Sequence, residues 1–518
     1  MRVVHCRMPC GCNCIHAGQN VASLHQLGIE KQFTVDFGSG SQRPEKASRM
    51  LKKQDRQTSI YSEKTRMKLP FLARAVLLAL TVTSATAFAA DFRAGAGKSE
   101  IKITPAMWPL DGFTSQHDPL MVRVLLMDDS KTRAAIVSIE QTSINHGTID
   151  RAKAKLTEVA GVAPENTIVV ASHTFSSPHN FFGSTSGWNG GAEGPKLGSG
   201  VPAYSKAIDD AVNAAITQAK NSLQPAKVGF GVGVSDVSVN RDFPTPRGWW
   251  LGANAAGFSD TSLPVVRIDS MDGKTLAVLI NEAVQSTITD HSVGQDGVKS
   301  ASSDLAGAAT RFVEKRYGGN AVAIFLYGAG GDQAPILQGN RYVLNRDGSI
   351  SQVDIHEAGF TLVDLLGERL GTEALQVSQE IKPTVSPTIE VRREILKVPS
   401  QDKGKTLPTG PVLSYSYATG PEIDFTFVLM RIGDIAIVGL RAELAASIGA
   451  QIKEHSPFPH TLVLCMVDGG NKYMADSKSY DHFTYEARNS PYARGSAELI
   501  ASGIDNLLTK MYQTSAGQ

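Results

Sequence analysis

Histidine, glutamate and tyrosine residues stand just after apolar, strand-like runs at three separate places in the chain. His173 follows NTIVVAS, Glu443 follows IAIVGLRA, and Tyr473 lies a few residues beyond TLVLCMV. Imidazole and carboxylate groups are good zinc ligands, and an open coordination position lets bound water ionise near neutral pH. These residues suggest a shared zinc site. Two simpler interpretations stay open: His173 is a structural histidine, and Glu443 caps the following helix, because acidic side chains favour helix N-termini.

Further polar residues follow other apolar runs in the same way. Gln285 comes directly after LAVLINEAV, and the loop GAGGDQAP, which contains Asp332, follows AVAIFLY. Open α/β sheets bind ligands in a crevice beyond the carboxyl ends of their strands, so these loops are expected to line one common crevice. The glycines of GAGGDQAP are expected to let the backbone turn tightly beside something bulky.

Several common functional motifs are missing from the sequence. YGAGGDQAP lacks the Lys-Ser/Thr pair of a phosphate-binding loop, and GFGVGV (229–234) opens no helix, so neither indicates nucleotide binding. No G-x-S-x-G elbow and no H-E-x-x-H pair occurs, which counts against the commonest hydrolase and zincin architectures. A formal net charge of +1 gives no basic excess, and no nucleic-acid partner is expected.

The arrangement of apolar runs predicts an α/β fold with one or more mixed sheets covered by helices. Strand-like runs alternate with segments whose apolar residues recur at helical spacing. The strand-like runs are MVRVLLMD, AAIVSIE, NTIVVAS, LAVLINEAV, AVAIFLYGA, IAIVGL and TLVLCMV, and the helix-like segments are 203–223, 304–318, 443–455 and 496–512. The stretch 381–411 is richer in proline and lysine, and it is interpreted as a surface excursion or subdomain seam.

The first 89 residues differ in character from the rest. From Met67 a short basic stretch, an apolar stretch and the small-x-small end Ala87-Phe88-Ala89 are typical of a signal peptide over 67–89. The protein is therefore expected to be exported, periplasmic or secreted, with a hydrolase domain over 90–518. Residues 1–66 contain four of the five cysteines, and they are interpreted as an upstream extension that is not native or is disordered. Cys465 alone remains, so no internal disulfide is expected.

The motifs resemble those of the neutral/alkaline, non-lysosomal ceramidase family, in its N-terminal catalytic domain. SHTFSSP is similar to the family's T-H-T-H-S-G-P loop, and this implies that His173 binds zinc. VNRDF resembles N-R-S-P, whose arginine faces the substrate, which implies Arg241. AVQST, SSDLAG and GGDQAP resemble A-V-H-x-T, S-S-D-N-x-G and G-D-V-S-P, and GLRAEL resembles the P-G-E-x-T motif, which implies Glu443 as a zinc ligand.

Three tyrosines near the C-terminus carry the most specific part of the resemblance. The family has tyrosines at offsets 0, 7 and 12, and here Tyr473, Tyr480 and Tyr485 have the same spacing. The resemblance implies that Tyr473 is a further zinc ligand and that Tyr485 helps to hold the substrate carbonyl or its oxyanion. The motifs occur in family order from about 95 to 500, and the family's C-terminal immunoglobulin-like domain is expected to be missing.

The sequence departs from the family pattern at three important positions. The family's second zinc histidine aligns with Gln285, a poorer ligand, and His291 in the apparent insertion TDHSVGQDG is an alternative. The second histidine of the first loop is Phe175. The family's serine in the hexapeptide is Ala334, so a serine nucleophile is impossible there.

These observations lead us to expect an exported zinc-dependent hydrolase that cleaves an amide or ester bond of an apolar, lipid-like acyl compound with a metal-activated water. Zinc would be held by His173, Glu443, Tyr473 and Gln285. Arg241 and Tyr485 would stabilise the oxyanion, and Asp332 would act as general base or would orient other groups. Such a substrate implies peripheral contact with lipid or a membrane. RGWWLGANAAGF (247–258) would offer aromatic surface near Arg241.

Two other classes of function remain open at the level of sequence. The first is a non-catalytic binding protein on a ceramidase-like scaffold, since loss of one zinc histidine and of the serine is what decay of the site would produce. The second is a serine hydrolase that uses Ser176, Ser177 or Ser286, although no histidine–carboxylate pair is visible beside any of them.

Overall fold

The computed structural model describes residues 92–180, 200–385, 387–403 and 407–516. All of these lie in the unit Ala85–Gln518. The expected signal peptide, the upstream segment and its four cysteines fall outside the described residues. Among the described helices none is both long and apolar enough to cross a membrane.

The secondary structure alternates between strands and helices along the chain. The α-helices are α1 (His146–Ala160), α2 (Val201–Asn221), α3 (Asp304–Arg316), α4 (Gly359–Glu380), α5 (Ala446–His455), α6 (Ser477–Asp481), α7 (Tyr485–Asn489) and α8 (Ser496–Ala516). The strands are β1 (Arg93–Glu100), β2 (Ser115–Gln116), β3 (Met121–Asp128), β4 (Arg133–Ile139), β5 (Thr167–Ala171), β6 (Gln224–Val234), β7 (Ser238–Thr245), β8 (Gly248–Asn254), β9 (Ser262–Ser270), β10 (Thr275–Glu282), β11 (Ser300–Ala301), β12 (Val322–Tyr327), β13 (Gln333–Pro335), β14 (Asn340–Leu344), β15 (Ile350–Asp354), β16 (Thr384–Val385), β17 (Ile389–Asp402), β18 (Ala418–Ile432), β19 (Ile435–Leu440), β20 (Glu443–Leu444), β21 (His460–Leu464) and β22 (Tyr473–Met474).

The largest sheet of the described residues has the order β12-β10-β9-β6-β1-β3-β4-β5, with β16 paired to β6. Its pairing is mixed, because β10 runs parallel to β12 and β4 parallel to β5, whereas the pairs between these edges are antiparallel. The strands β12 and β5 are buried along their whole length, which explains their continuous apolar sequences. Mixed sheets covered by helices are what the alternation of apolar runs predicted.

A second sheet, of four strands in the order β17-β18-β19-β21, corrects the interpretation of 381–411. Most of this stretch is the long strand β17, which pairs antiparallel with β18. Apolar residues occur along IEVRREILKV without a strict period of two, and most of its residues are partly buried or exposed. The proline and lysine content hid this strand, and the surface-excursion interpretation is wrong for the described part of the segment.

Residues just after β21 connect the two sheets. The N–H of Cys465 donates to the carbonyl of Tyr327 at the end of β12 (2.9 Å), and the N–H of Asp468 donates to the carbonyl of Val169 in β5 (2.7 Å). The carboxyl ends of β12, β5 and β21 therefore meet in one region. The loops that carry His173, Asp332 and Tyr473 begin there.

Helix α2 packs directly on the largest sheet because β1 offers no side chains at two positions. A Cβ atom added at Gly97 would lie 2.2 Å from the carbonyl oxygen of Ala215, and one at Gly95 would lie 2.1 Å from that of Ala219. The buried face of α2 consists of residues three and four apart, which include Tyr204, Ile208 and Ala215. Close approach of backbone to backbone thus fixes the helix against the strand.

Candidate active site

The described loops bring most of the sequence-predicted site residues into one buried cluster. His173 lies two residues beyond β5, and the loop pairs with the loop after β10 through a bridge between Thr174 and Ser286. Glu443 opens β20, which runs parallel to β22 with Glu443 opposite Tyr473. The imidazole of His173, the carboxylate of Glu443 and the phenol of Tyr473 therefore lie close together although they come from three different strands. This is the arrangement expected for loops that line one common crevice.

The interpretation of Glu443 as a helix cap is wrong. Helix α5 begins only at Ala446. Glu443 lies in the strand β20, and its own backbone N–H donates to the carbonyl of Lys472. The residue is 5% exposed, and its side chain points at His173. The acidic residue at the start of a helical pattern is a site residue here, because the chain makes one further parallel pairing before the helix begins.

His173 and Glu443 form the centre of the cluster. Nε2 of His173 lies 2.9 Å from Oε2 of Glu443, and Nδ1 lies 2.7 Å from the carbonyl oxygen of Thr142. A carbonyl only accepts, so Nδ1 carries a proton and a neutral His173 presents its Nε2 lone pair to the carboxylate. Two acceptors at this distance require a positive charge between them, either a proton or a metal ion.

The electrostatic surroundings keep Glu443 ionised despite its burial. Burial acts to raise the pKa of the Glu443 carboxyl, but His173, the guanidinium of Arg241 and Lys472 hold that pKa below its usual value. A carboxylate that is buried and still charged is suited to bind a cation or to orient a polarised group.

Gln285 connects Glu443 to Arg241. Its amide nitrogen donates to Oε2 of Glu443 (3.0 Å), and its amide oxygen accepts from Nη1 of Arg241 (2.7 Å). The guanidinium fixes this orientation, because the opposite orientation would place two donors against each other. A hydrogen-bonded chain thus runs from His173 through Glu443 and Gln285 to Arg241.

Arg241 is held from three directions. Its Nε donates to Oε1 of Glu486 (2.7 Å), and its guanidinium carbon lies 5.2 Å from the ring centre of Tyr473 and 5.9 Å from that of Tyr485. Although burial acts to lower it, the carboxylate of Glu486 and the neighbouring Tyr473 raise the pKa of Arg241 well above its usual value. The result is a permanent, oriented cation beside the His173–Glu443 pair, of the kind that stabilises an oxyanion.

A second carboxyl lies beside Glu486. Burial, and then the neighbouring Glu486, raise the pKa of Asp242 well above its usual value, so that its protonated form is favoured. No role was predicted for Glu486 from the sequence, and its contact with Arg241 is visible only in three dimensions.

Asp332 joins three segments and does not face His173. Its Oδ1 accepts from the N–H of Ala446 at the start of α5 (2.9 Å), its Oδ2 accepts from Asn240 (3.3 Å), and its carbonyl accepts from the N–H of Arg241 (2.9 Å). Burial raises the pKa of Asp332 to about 6. These contacts suit an orienting residue that fixes the backbone of Arg241.

The glycines of the Asp332 loop lie against backbone, as expected. A Cβ atom at Gly331 would lie 2.6 Å from the carbonyl oxygen of Glu443, and one at Gly330 would lie 2.7 Å from Cε2 of Tyr327. The bulky neighbour predicted from the sequence is therefore the Glu443 strand itself, together with the ring of Tyr327.

Two aromatic side chains enclose His173. The ring of Tyr327 is stacked on the imidazole with a centroid separation of 4.6 Å, and Phe175 contacts it edge-on at 4.7 Å. Phe175 thus contributes packing where the family pattern has a second histidine. No sequence motif pointed to Tyr327 or Thr142, because a stacking partner and a backbone acceptor leave no signature of residue type.

Other sequence candidates lie away from the cluster. The side chain of His291 is 73% exposed, and its ion-pair partner is the adjacent Asp290. Ser176 contacts Thr289, Ser177 donates to the carbonyl of Thr174, and Ser286 accepts from the N–H of Ala306. None of these contacts joins a serine to an imidazole.

The aromatic segment predicted beside Arg241 is close to the site, with Trp250 enclosed and Phe258 half exposed. Trp250 is 6% exposed, and its ring meets that of Tyr485 edge-on at a centroid separation of 5.8 Å. Trp249 is stacked on His482. The hairpin β7–β8 therefore forms a wall behind Tyr485.

The cluster contains an imidazole and a carboxylate, which are donor types that zinc accepts, and a third donor could come from a phenol. His173 Nε2, Glu443 Oε2 and the phenol of Tyr473 give three protein ligands, the usual number when one position stays open. No group of three or more His, Cys, Asp and Glu side chains suited to a metal occurs among the described residues, so the phenol is needed as third donor. Burial raises the pKa of Tyr473 well above its usual value, and metal binding would have to displace that proton.

The fold is similar to that of solved ceramidase structures. The crystal structure of neutral ceramidase from Pseudomonas aeruginosa matches with a TM-score of 0.62 at 17% identity, over 82% of this chain and 75% of that chain. A structure described as ceramidase complexed with C2 matches with a TM-score of 0.63 at 16% identity, over the same shares. No protein-family model and no curated protein matches the sequence.

The chain accordingly has a ceramidase-like fold, and the predicted α/β architecture with mixed sheets is confirmed. At this level of identity the likeness extends to the fold alone.

Proposed function

We propose that this protein is an exported, zinc-dependent hydrolase that cleaves the amide bond, or an ester bond, of an apolar, lipid-like acyl compound. The observation that supports this most strongly is the buried His173–Glu443 pair beside the guanidinium of Arg241, on a ceramidase-like fold. A lipid-like substrate also implies peripheral contact with lipid or a membrane surface.

Zinc would be held by His173, Glu443 and Tyr473. The chemistry that zinc supplies when bound is Lewis acidity, which polarises a carbonyl group and lowers the pKa of a water molecule. The carbonyl of Thr142 holds Nδ1 of His173, so that Nε2 is presented to the site. Gln285 orients Glu443, and to become a fourth ligand it would have to turn its amide oxygen away from Arg241.

Arg241 and Tyr485 would act on the substrate carbonyl. The guanidinium is fixed by Glu486 and by Gln285, so its orientation is set before the substrate arrives. Preorganised donors of this kind stabilise the negative charge that develops on an acyl oxygen. Asp332 would keep the backbone of Arg241 in place through its carbonyl. Ala334 offers no nucleophile, so water attacks the acyl carbon.

The first experiment measures bound metal by elemental analysis in the purified protein and in the variants His173→Ala and Glu443→Ala. We expect about one zinc per chain in the parent and little in either variant, because each removes one of three ligands. Turnover of N-dodecanoyl amides should fall by roughly 10²-fold or more in Glu443→Ala, with thermal unfolding measured to show that the variant folds.

An unchanged zinc content in both variants would contradict the assigned site. A protein that binds acyl amides without zinc and without turnover would support the alternative, a binding protein on a ceramidase-like scaffold. The variant Gln295→Ala, at an exposed position, serves as the control.

A further inference from the structure

Tyr327 carries a buried hydroxyl group that has no hydrogen-bond partner among the described residues. The residue ends the strand β12 and is 0% exposed. Its ring is stacked on the imidazole of His173, with the ring centres 4.6 Å apart and the ring planes 20° from parallel. The hydroxyl therefore belongs to a side chain that is in direct contact with the candidate active site.

Two comparably buried tyrosines satisfy their hydroxyl groups within the protein. The hydroxyl of Tyr204 accepts from Nε2 of Gln141 (2.6 Å), and that of Tyr480 donates to the carbonyl of Tyr492 (2.5 Å). A buried hydroxyl without a partner costs folding free energy, because it has lost its hydrogen bonds to water. In native structures such a group is commonly bound to an ordered water or has a catalytic role. Tyr327 thus requires an explanation that the other two do not.

The phenol end of Tyr327 lies at a turn made of glycines. A Cβ atom added at Gly330 would lie 2.7 Å from Cε2 of Tyr327, and Cε2 is bonded to the carbon that carries the hydroxyl. The next residue, Gly331, lies against the backbone of Glu443, since a Cβ there would be 2.6 Å from the Glu443 carbonyl oxygen. The carbonyl of Gly331 accepts from Nε2 of Gln285 (3.5 Å). The phenol end is therefore placed among the residues that form the cluster.

A water molecule is the smallest partner that satisfies this hydroxyl. At neutral pH the phenol keeps its proton, because the usual pKa of tyrosine is about 10, and its oxygen both donates and accepts. Buried waters typically bridge polar groups that otherwise have no partner. The proposed hydrolysis needs such a water as its nucleophile, since Ala334 offers none.

We propose that the hydroxyl of Tyr327 holds the water molecule that attacks the acyl carbon. The water oxygen forms a bond to that carbon, the carbon–nitrogen bond breaks, and the two protons of the water end on the acid and the amine. Tyr327 keeps its own proton throughout, so its contribution is to position the nucleophile. This inference rests on the proposed function and deepens it, because it names the residue that fixes the attacking water.

The competing explanation is that Tyr327 only packs against His173. Stacking accounts for the ring, but it leaves the buried hydroxyl without a function. The variant Tyr327→Phe separates the two explanations, because it keeps the ring and its stacking and removes only the oxygen.

The first measurement is steady-state hydrolysis of N-dodecanoyl amides by the parent and by Tyr327→Phe. We expect kcat to fall by about 10- to 100-fold at an unchanged KM, as misplacement of a reacting group would cause. Zinc content and the midpoint of urea unfolding should change little, since no hydrogen bond to the described residues is lost.

The matched control is Tyr204→Phe, which also removes one buried hydroxyl. Here the hydroxyl has a protein partner, Gln141, so this variant should unfold at a lower urea concentration and keep the kcat of the parent. An unchanged kcat in Tyr327→Phe would overturn the inference. A loss of activity in Tyr327→Phe that is matched by lost zinc or by lower stability would overturn it as well.

The second measurement does not depend on turnover. High-resolution crystal structures of the parent and of Tyr327→Phe should show a water within about 3 Å of the hydroxyl oxygen in the parent and its loss or displacement in the variant. A protein atom bonded to the hydroxyl in place of water would overturn the inference. If the parent hydrolyses no acyl amide and this water is nevertheless present and lost in the variant, the proposed function fails while the water site at Tyr327 stands.

Discussion

His173 shows how the environment of a single residue sets its role. Its backbone adopts the left-handed conformation (φ 57), which is rare for a residue with a side chain. Contacts of both ring nitrogens and the stacked Tyr327 hold it there. Strained backbone that is fixed by several contacts is characteristic of functional sites. The geometry of His173 therefore supports the proposal that it has a functional role and is not only structural.

At the same scale, Gln285 is the residue whose replacement reports most directly on the metal. Gln285→His offers an imidazole, a better zinc ligand than an amide, next to Glu443. We expect tighter zinc binding, by about 10-fold or more in a chelator competition assay, since a fourth protein ligand is added. Gln295→His, which places a histidine at an exposed position, is the control. Unchanged or weaker zinc binding in Gln285→His would argue against a metal at this cluster.

The buried carboxyl of Asp332 predicts a pH dependence of stability. Its pKa is raised from 3.8 to about 6 in the folded protein, so folding favours the protonated form. The corresponding stabilisation is present below about pH 4 and is lost as the pH rises through about 6, an effect of about 3 kcal/mol. In Asp332→Asn, which cannot ionise, this component should be absent.

The measurement is the free energy of unfolding in urea at about pH 4 and pH 7.5, in the parent and in Asp332→Asn. Between pH 4 and pH 7.5 the parent should lose more free energy of unfolding than the variant does. This holds even though the variant weakens the contact with Asn240 at both pH values. The same pH profile in both proteins would show that Asp332 is not the buried acid inferred from its contacts.

At the scale of secondary-structure elements, the contact between β1 and α2 depends on the absence of side chains at two glycines. Gly97→Ala places a methyl group 2.2 Å from a helix carbonyl, and the helix must move away from the sheet. We expect destabilisation of about 1–3 kcal/mol, as is usual for overpacking, measured by urea unfolding. Gly410→Ala is the control, since a Cβ there would meet nothing within 4 Å. Equal stability of the two variants would contradict this account of the packing.

At the scale of the whole molecule, Asp468 holds three segments together where the two sheets meet. Its carboxylate accepts from Lys153 on α1 (2.9 Å), from Arg393 on β17 (2.7 Å) and from the N–H of Val169 in β5 (3.1 Å). Its backbone N–H also donates to the carbonyl of Val169, one of the hydrogen bonds by which the segment after β21 contacts the largest sheet. Its contacts therefore link elements that are far apart in the sequence.

Asp468→Ala should destabilise the protein by about 2–4 kcal/mol, because two cations and a backbone donor lose their shared acceptor. Chemical unfolding followed by far-UV circular dichroism measures the change. Asp424→Ala is the matched control: it removes a carboxylate whose partner Lys397 is exposed, and it should change stability little. Similar behaviour of the two variants would mean that the link at Asp468 contributes no more than a surface ion pair.

The sequence by itself determined the elements and the membership of the cluster. The strand-like runs coincide with β3, β4, β5, β10, β12, β19 and β21, because continuous apolar stretches of that length suit buried strands. The positions of His173, Glu443 and Tyr473 beyond such runs predicted that these three lie together, whereas Arg241 and Tyr485 were predicted from the family resemblance alone.

Only the tertiary structure decided how these side chains pair. That Gln285 turns its oxygen to Arg241, that Glu486 neutralises this arginine, and that Thr142 fixes the imidazole all depend on contacts between residues far apart in sequence. Likewise, the strand β17 was concealed by the proline and lysine content of its segment, and only its pairing with β18 reveals it. Local pattern fixes which elements form, but hydrogen-bond partners are set by the packing of those elements against one another.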